Sequence, residues 1–367
     1  MKKLLIISSL LPLLSYAASQ PIPALTDIWC AQNKGEQGVH VVQSGNNTHQ
    51  IALVKRGQVV KSQPLNEAVY KCYLHPEQPI GYLGTTGKPL RVLQEFHLGN
   101  ALPEEAFAIN FQPNANIVKY WRQHPEQEDS LIVSFKHLQT GALVAEHALP
   151  KEELRDTLFE FSSDGKTMIK VNIPGNSILW HQDVKTLKQL YQIEFEDKVA
   201  TSTRFLGEQL LTNFSGNVQL YQGQKLLWSY QHPDIVAKEL VLQVSPNQKL
   251  LSIGNNNATS YFEATAFAIL NTQGEALLTV TGRLALPDSE GYRLFQVLDD
   301  GFVLKRTDEQ DQQHYRVYNL EQQVLRTFKL DRVDTLLPPP SIHQDFYRLS
   351  PGPKPNGMYR QTLTLLQ

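Results

Sequence analysis

Two stretches of the sequence decide the fold: Phe161-Ser-Ser-Asp-Gly-Lys166 and Val244-Ser-Pro-Asn-Gln-Lys249. Each begins with an apolar residue, continues through a polar or proline-containing turn, and leads into an apolar run such as Thr167-Met-Ile-Lys-Val-Asn172. Gly, Pro, Asn and Asp favour tight turns, and short runs rich in β-branched residues favour strands. The two stretches therefore predict a tight turn between two β-strands.

The turn recurs along the chain. Weaker copies begin at Tyr73, Phe111, Phe205 and Val297, so the six starts are 38, 50, 44, 39 and 53 residues apart. After each start the sequence continues with further short strands and a glycine-centred hairpin such as Thr272-Gln-Gly-Glu275. A repeat of about 45 residues with four short strands is typical of a β-propeller blade.

The two clear copies resemble the F-S-P-D-G-K turn of TolB-type and WD40-like β-propellers, in which this turn joins the innermost strand of a blade to the second. The resemblance spans most of the chain by its period and rests on two copies by residue. The W-D dipeptide that ends a strand in those families does not occur. The resemblance implies an all-β fold, a β-propeller of four-stranded antiparallel blades, with seven blades favoured and eight as the alternative. It implies nothing about activity, because propellers carry many unrelated functions.

A pair of β-sandwiches, or another all-β multidomain arrangement, is the competing architecture. If the fold is a propeller, its ring has to close between the first and last blades. We expect residues 22–30 or the terminal run Tyr359-Arg-Gln-Thr-Leu-Thr-Leu-Leu366 to complete a blade that begins at the other end of the chain. We also expect Cys30 and Cys72, the two cysteines, to form a disulfide, because pairing is the default in an oxidising compartment.

The first residues have the pattern of an export signal. Lys2 and Lys3 precede an apolar run from Leu4 to Leu14, and Ser15-Tyr16-Ala17 supplies the small residues of a cleavage site. The apolar run is shorter than the roughly 20 residues that cross a bilayer. The sequence predicts a signal peptide over residues 1–17, a single propeller domain over residues 18–367, and a periplasmic or secreted location.

Composition argues against several classes of partner. The formal net charge is −2, and the basic residues are interspersed with acidic ones rather than clustered, so no nucleic-acid partner is expected. After the N-terminal segment no run reaches 18 consecutive apolar residues, so no membrane insertion is expected. The partner that remains is another envelope protein or a surface ligand.

The sequence contains none of the common catalytic motifs. G-x-S-x-G, H-E-x-x-H, the P-loop pattern and G-x-G-x-x-G do not occur. A site assembled from distant loops would leave no such motif. The sequence therefore favours a non-enzymatic role and leaves enzymatic activity undecided, with no catalytic residue and no metal ligand assigned.

Carboxylates are concentrated in two loops, Glu126-Gln-Glu-Asp129 and Asp308-Glu-Gln-Asp311, which both fall between the second and third strands of their repeats. Such loops lie on one face of a propeller. Asn255 and Tyr261 fall at the same phase. The sequence therefore predicts a ligand-binding site made of Trp121, Arg122, Glu126, Asp129, Asn255, Tyr261, Arg306, Asp308 and Asp311. No cofactor is assigned, although calcium would suit this set of oxygen atoms, and solvated hairpin tips are the interpretation that the sequence favours.

Three functions of different classes follow from these observations. The favoured one is an exported scaffold that binds a protein or another ligand without catalysing a reaction. The second is an enzyme at the channel mouth, either a metal-assisted lactonase or a glycan hydrolase, which needs acidic or histidine side chains within hydrogen-bond reach across blades. The third is a glycan or small-molecule binder that uses Trp, Tyr and Asn at loop tips.

Overall fold

A computed structural model describes most of the chain. The described residues are 20–21, 25–45, 49–75, 80–112, 115–154, 157–162, 164–172, 178–194, 200–214, 217–235, 240–255, 266–281, 291–351 and 361–366. The predicted signal peptide and Tyr261 lie outside these ranges. Within them, no helix has the length and apolar character needed to cross a membrane.

The described chain is built almost entirely of antiparallel strands. Six separate four-stranded sheets, numbered here as blades, follow one another in sequence. Blade 1 comprises β6 (Val69–Leu74), β7 (Ile80–Thr85), β8 (Arg91–Gln94) and β9 (His97–Ala101); blade 2 comprises β10 (Phe107–Gln112), β11 (Ile117–Gln123), β12 (Ser130–His137) and β13 (Leu143–Pro150). Blade 3 comprises β14 (Thr157–Phe161), β15 (Thr167–Asn172), β16 (Ile178–Asp183) and β17 (Gln189–Glu194) and is preceded by the one-turn helix α1 (Lys151–Leu154).

The remaining three blades have the same order. Blade 4 comprises β18 (Ala200–Leu206), β19 (Gln209–Phe214), β20 (Asn217–Gln222) and β21 (Lys225–Gln231). Blade 5 comprises β22 (Leu240–Val244), β23 (Leu250–Asn255), β24 (Phe267–Asn271) and β25 (Ala276–Val280). Blade 6 comprises β26 (Arg293–Val297), β27 (Gly301–Thr307), β28 (Gln313–Asn319) and β29 (Val324–Leu330).

The two ends of the chain meet in one eight-stranded sheet, which we call the closing sheet. Its strands are β1 (Gln20–Pro21), β2 (Ile28–Asn33), β3 (Val39–Ser44), β4 (His49–Lys55), β5 (Gln58–Pro64), β30 (Thr335–Leu337), β31 (Phe346–Pro351) and β32 (Gln361–Leu366), with a short 3-10 turn at Gly35–Gln37. Their order in the sheet is β30-β31-β32-β2-β3-β4-β5, and β1 also pairs with β32.

The expected ring closure is confirmed by this sheet. Gln20 and Pro21 pair with Leu365 and Thr364, and β2 meets β32 through the pair Ile28 and Gln361. The described strands form six separate four-stranded blades, so within this part of the chain the seven blades favoured from the sequence, and the alternative of eight, are not present as separate sheets. The difference arises because the terminal strands pair across the closure and merge into one sheet.

The ring is evident from contacts between the first strands of successive sheets. These strands meet as β2 with β6, β14 with β18, β18 with β22 and β22 with β26. Second and third strands are buried on both faces, as in β3 and β24, because a neighbouring sheet covers each face. Fourth strands are exposed at the rim. The predicted all-β propeller with four-stranded antiparallel blades is thus confirmed.

The two stretches that predict the fold form the same local hydrogen-bond network. In blade 3, the Ser162 Oγ accepts from the Thr167 backbone N–H at 3.2 Å and donates to the Asp164 carboxylate at 2.8 Å. In blade 5, the Ser245 Oγ accepts from the Leu250 N–H at 3.0 Å and donates to the Asn247 side chain at 2.8 Å. Both turns join the first strand of a blade to the second, as the resemblance implied.

The predicted disulfide between Cys30 and Cys72 is present. It joins β2 of the closing sheet to β6 of blade 1, two first strands that already contact each other. A further link across the closure comes from Asn33, whose Nδ2 donates to the carbonyl oxygens of Leu337 at 3.1 Å and Asp345 at 2.8 Å. The closure is therefore held by a covalent bond on one side and by hydrogen bonds on the other.

Candidate functional site

The two acidic loops lie where the sequence places them, in different blades. Glu126 and Asp129 are exposed in the loop between β11 and β12 of blade 2. Asp308 and Asp311 lie in the loop between β27 and β28 of blade 6, and Asn255 is the last residue of β23 in blade 5. Each of these loops joins a second strand to a third, so the predicted phase holds for the strands around them.

The carboxylates of blade 6 make contacts within and beside their own hairpin. Asp308 Oδ1 accepts from the backbone N–H groups of Gln310 at 2.9 Å and Gln312 at 2.8 Å, and its Oδ2 lies 2.7 Å from His314 Nε2. The hydrogen bond to His314 is the main reason that the pKa of Asp308 lies below its usual range. Asp311 pairs with Arg332 at 2.7 Å. These contacts shape the turn. They also engage much of the carboxylate oxygen that would have to coordinate a calcium ion.

Three further residues of the predicted set lie within the blades. Trp121 is buried in the apolar cluster between blades 2 and 3. The Arg122 guanidinium donates to Glu146 at 2.8 Å on the fourth strand of the same blade. The Arg306 guanidinium lies 5.2 Å from the ring centroid of Tyr292. Trp121 therefore packs in the core, while Arg122 and Arg306 each contact a partner on or beside their own blade.

No metal-binding group emerges from the described residues. Across these ranges, no set of three or more His, Cys, Asp and Glu side chains is placed to hold a metal ion. The predicted set as a whole spans blades 2, 5 and 6, and Tyr261 lies outside the described part of the chain.

An aromatic cluster that the sequence analysis missed lies on the first two strands of blade 1 and the first strand of blade 2. Tyr73 stacks on Tyr82 of the adjacent strand at 5.4 Å, and both rings lie 6.0 Å from Phe111 of the next blade. Tyr70 and Phe107, on the two first strands, are exposed. First strands face the axis of the ring. The aromatic residues within these two strands were therefore the feature of the sequence that could have indicated the cluster.

A second missed feature lies at the rim. The outermost strands of blades 3, 4 and 5 each expose a leucine at their second position: Leu190 of β17, Leu226 of β21 and Leu277 of β25. Leu227 is also exposed, and the four side chains retain between 37% and 49% of their accessible surface. We call these four residues the leucine rim.

Two buried ionisable residues have strongly shifted pKa values. Burial lowers the pKa of Lys119 on β11 to about 8, against an opposing effect of Glu160 in blade 3. Burial, helped by Lys34, lowers the pKa of His40 on β3 to about 4, so the imidazole is neutral at pH 7. The His40 ring stacks on Phe96 at 5.5 Å. Both residues are enclosed between sheets, which accounts for their shifts without a ligand.

Comparisons with solved structures find chains of similar structure at about 10% sequence identity. BamB from Moraxella catarrhalis is similar at a TM-score of 0.47 and 10% identity over 96% of this chain and 99% of that one. Hsv2 from Kluyveromyces lactis is similar at a TM-score of 0.46 and 10% identity over 84% of this chain and 99% of that one. The sequence matches no protein-family model and no curated protein. At such low TM-scores these similarities support no inference about activity.

Proposed function

We propose that this protein is a non-enzymatic scaffold that binds another protein of the cell envelope through the leucine rim. The observation that carries the proposal is the row of exposed leucines on three successive blades. Leucine is usually buried, and burying a fully exposed one is worth about 1.5–3 kcal/mol, so covering the exposed part of each rim leucine contributes roughly half of that. A row of them at equivalent strand positions is the kind of apolar surface that a partner covers.

Hydrogen bonds between blades support treating the row as one surface. Gln224 Nε2, in the hairpin before β21, donates to the carbonyl oxygen of Gln192 on β17 at 3.2 Å. Trp228 Nε1 on β21 donates to the carbonyl oxygen of Thr272, in the hairpin before β25, at 3.0 Å. These two bonds tie the rim of blade 4 to the rims of blades 3 and 5.

The backbone at the rim adds a second means of attachment. β17, β21 and β25 are the last strands of their sheets, and no other described strand pairs with their outer edges. An exposed edge offers N–H and C=O groups to an extended segment of another chain. The partner that fits is therefore a protein with an extended apolar segment that pairs with one edge and covers the leucines.

Site-specific photocrosslinking in the native host tests the proposal. A photoreactive phenylalanine analogue at position 227 should give an adduct with one protein, and the double variant Leu190→Asp, Leu277→Asp should abolish it. Val60, on the fourth strand β5 of the closing sheet, is an exposed apolar residue outside the leucine row and provides the control. No adduct at position 227, or the same adduct from position 60, would show that the leucine rim is not the docking surface.

The proposal includes export to the periplasm or beyond. It is supported by the pattern of residues 1–17 and by the disulfide between Cys30 and Cys72, which is typical of an oxidising compartment. The proposed single propeller domain then starts at Ala18. N-terminal sequencing of the protein recovered from the periplasm tests this, and a protein that retains Met1 or stays in the cytoplasm would contradict it.

The proposal also includes the number of repeating units. The closing sheet divides into β2–β5 and the group β30–β32 with β1, which together make two units of four strands. An apolar cluster with Val41 and Ala52 from one group and Tyr347 and Leu363 from the other lies between them, as such clusters lie between neighbouring blades. This arrangement favours a ring of eight four-stranded units.

A second candidate function is glycan binding on the first strands. The observation that favours it is the exposed aromatic surface formed by Tyr70, Tyr73 and Phe107, because sugar rings stack on aromatic faces. Binding of cell-wall oligosaccharides that is lost in Tyr73→Ala and kept in Leu227→Asp would support this function. Equal binding by both variants would exclude the aromatic cluster as the site.

A further inference from the structure

Two cations lie side by side on the inner strands of blade 6. Arg293 is the first residue of β26, and its backbone partner across the ladder is Lys305 of β27. Directly opposed residues in an antiparallel pair place their side chains on the same face, and like charges in this position are destabilising. Both side chains are half-buried, and within the described ranges neither forms a salt bridge with a carboxylate.

The face that carries these cations is turned toward the closing sheet. Phe295 and Tyr315, on the same face of blade 6, pack in one apolar cluster with Leu336 and Phe346 of the closing sheet. Lys305 Nζ lies 5.9 Å from the ring centroid of Phe295 and 5.6 Å from that of Tyr315. Contact with these rings accounts for part of the stabilisation of the Lys305 ammonium, but Arg293 has no such contact among the described residues.

The closing sheet contributes a third cation and one carboxylate. Arg348 on β31 lies 3.5 Å from the buried carboxylate of Asp334, and its buried Nε has no hydrogen-bond partner among the residues that the structure describes. Asp334 and Arg293 both act electrostatically on the Tyr315 hydroxyl, which places them around the same ring. Arg293, Lys305 and Arg348 against Asp334 give this gap an excess of two positive charges in a protein whose net charge is −2.

Such an excess has an energetic cost in the absence of a ligand. Burial and the charge of Arg293 both lower the pKa of Lys305, and no carboxylate among the described residues is found to oppose them. A guanidinium beside an ammonium, both partly shielded from water, matches the geometry and the charge of an oxyanion. Ionisable groups whose pKa values are shifted by burial and by a neighbouring like charge are concentrated at functional sites.

We propose that Arg293 and Lys305, with Arg348 nearby, form a binding site for an oxyanion that carries two negative charges. The shared chemistry of the ligand is a pair of anionic oxygens on a compact group, as in a phosphate or a dicarboxylate. The site lies on the first two strands of blade 6 and the facing part of the closing sheet. It is distinct from the leucine rim of blades 3–5 and does not depend on the proposed scaffold function.

Isothermal titration calorimetry of the full mature protein tests the site with two probes, inorganic phosphate and succinate, at constant ionic strength set with chloride. Saturable 1:1 binding of either probe is expected, and its identity distinguishes phosphate from dicarboxylate ligands. Arg293→Gln and Lys305→Gln should each weaken binding at least tenfold, because each removes a charged hydrogen-bond donor. Binding of neither probe would overturn the proposal.

A matched control separates the site from general charge. Lys61 is a lysine on β5 that also lies over an aromatic ring, 4.3 Å from the centroid of Phe96. Lys61→Gln removes the same charge far from the site and should leave the affinity unchanged. In chloride buffer Lys305→Gln should melt no lower than the wild type, because a like-charge contact is removed. Equal weakening by Lys61→Gln would show that the probes bind without a specific site.

Discussion

Replacing Lys119 by methionine should abolish a pH dependence of stability that this lysine creates. Lys119 lies on β11 with only 7% of its surface exposed, and its Nζ lies 5.7 Å from the ring centroid of Trp121. Burial is the main cause of its lowered pKa, and attraction to Glu160 opposes it. The side chain is thus charged at pH 7, which lowers the free energy of unfolding. As the pH rises, Lys119 loses its proton at a lower pH in the folded protein than in the unfolded chain.

The sign and size of the effect follow from the two pKa values, 10.5 for the unfolded chain and about 8 for the folded protein. Between these values the unfolded chain binds more protons, so the free energy of unfolding rises with pH in this window and is flat below it. The full shift corresponds to about 3.4 kcal/mol at 1.36 kcal/mol per pH unit. By pH 10 about 2.5 kcal/mol of it is reached, and almost none at pH 7.

Urea denaturation at pH 7, 8, 9 and 10 measures this effect. The wild type should gain about 2.5 kcal/mol relative to Lys119→Met between pH 7 and pH 10. Lys119→Arg is the control, because its guanidinium stays charged throughout, so the difference between the Met and Arg variants should not change with pH. A constant difference between wild type and Lys119→Met across this range would refute the burial argument for this lysine.

Two further predictions concern the closing sheet and its neighbour. The double variant Cys30→Ser, Cys72→Ser should lose about 4 kcal/mol in urea denaturation, because a loop of 42 residues is no longer closed in the unfolded chain; an unchanged midpoint would contradict this. His40 has a folded pKa of about 4 against 6.5 when unfolded, so stability should fall by up to about 3.4 kcal/mol as the pH drops through this window. His40→Phe keeps a ring against Phe96 and should remove that loss; an equal loss in both proteins would show that other groups cause it.

The repeat and its turns could be predicted because they depend on local chemistry. Ser162 and Ser245 each bind the backbone and the side chain two residues later, and that network needs only neighbouring residues. The strands between the turns follow from short β-branched runs. The pairing of the two cysteines followed from their number and the expected compartment.

The candidate sites could not be predicted because they depend on register and on contacts between blades. Arg293 and Lys305 are twelve positions apart in the sequence, and only the pairing of β26 with β27 makes them neighbours. In the sequence, nothing distinguishes Leu190 and Leu277 from other residues of short strands. Only the hydrogen bonds of Gln224 and Trp228 between blades show that these leucines belong to one surface. The two acidic loops that the sequence singled out lie on different blades, 2 and 6. In the second loop, the Asp308 carboxylate accepts hydrogen bonds from the backbone of its own turn.

The sequence by itself determined the all-β class, the period of the repeat, the turn chemistry and the disulfide, since each rests on the local preferences of the residues or on their number. The tertiary structure alone decided how the two ends share the closing sheet, which strands face the axis or the rim, and which like charges lie side by side. These properties arise from the packing of strands that are far apart in the chain, and packing depends on all of the blades at once.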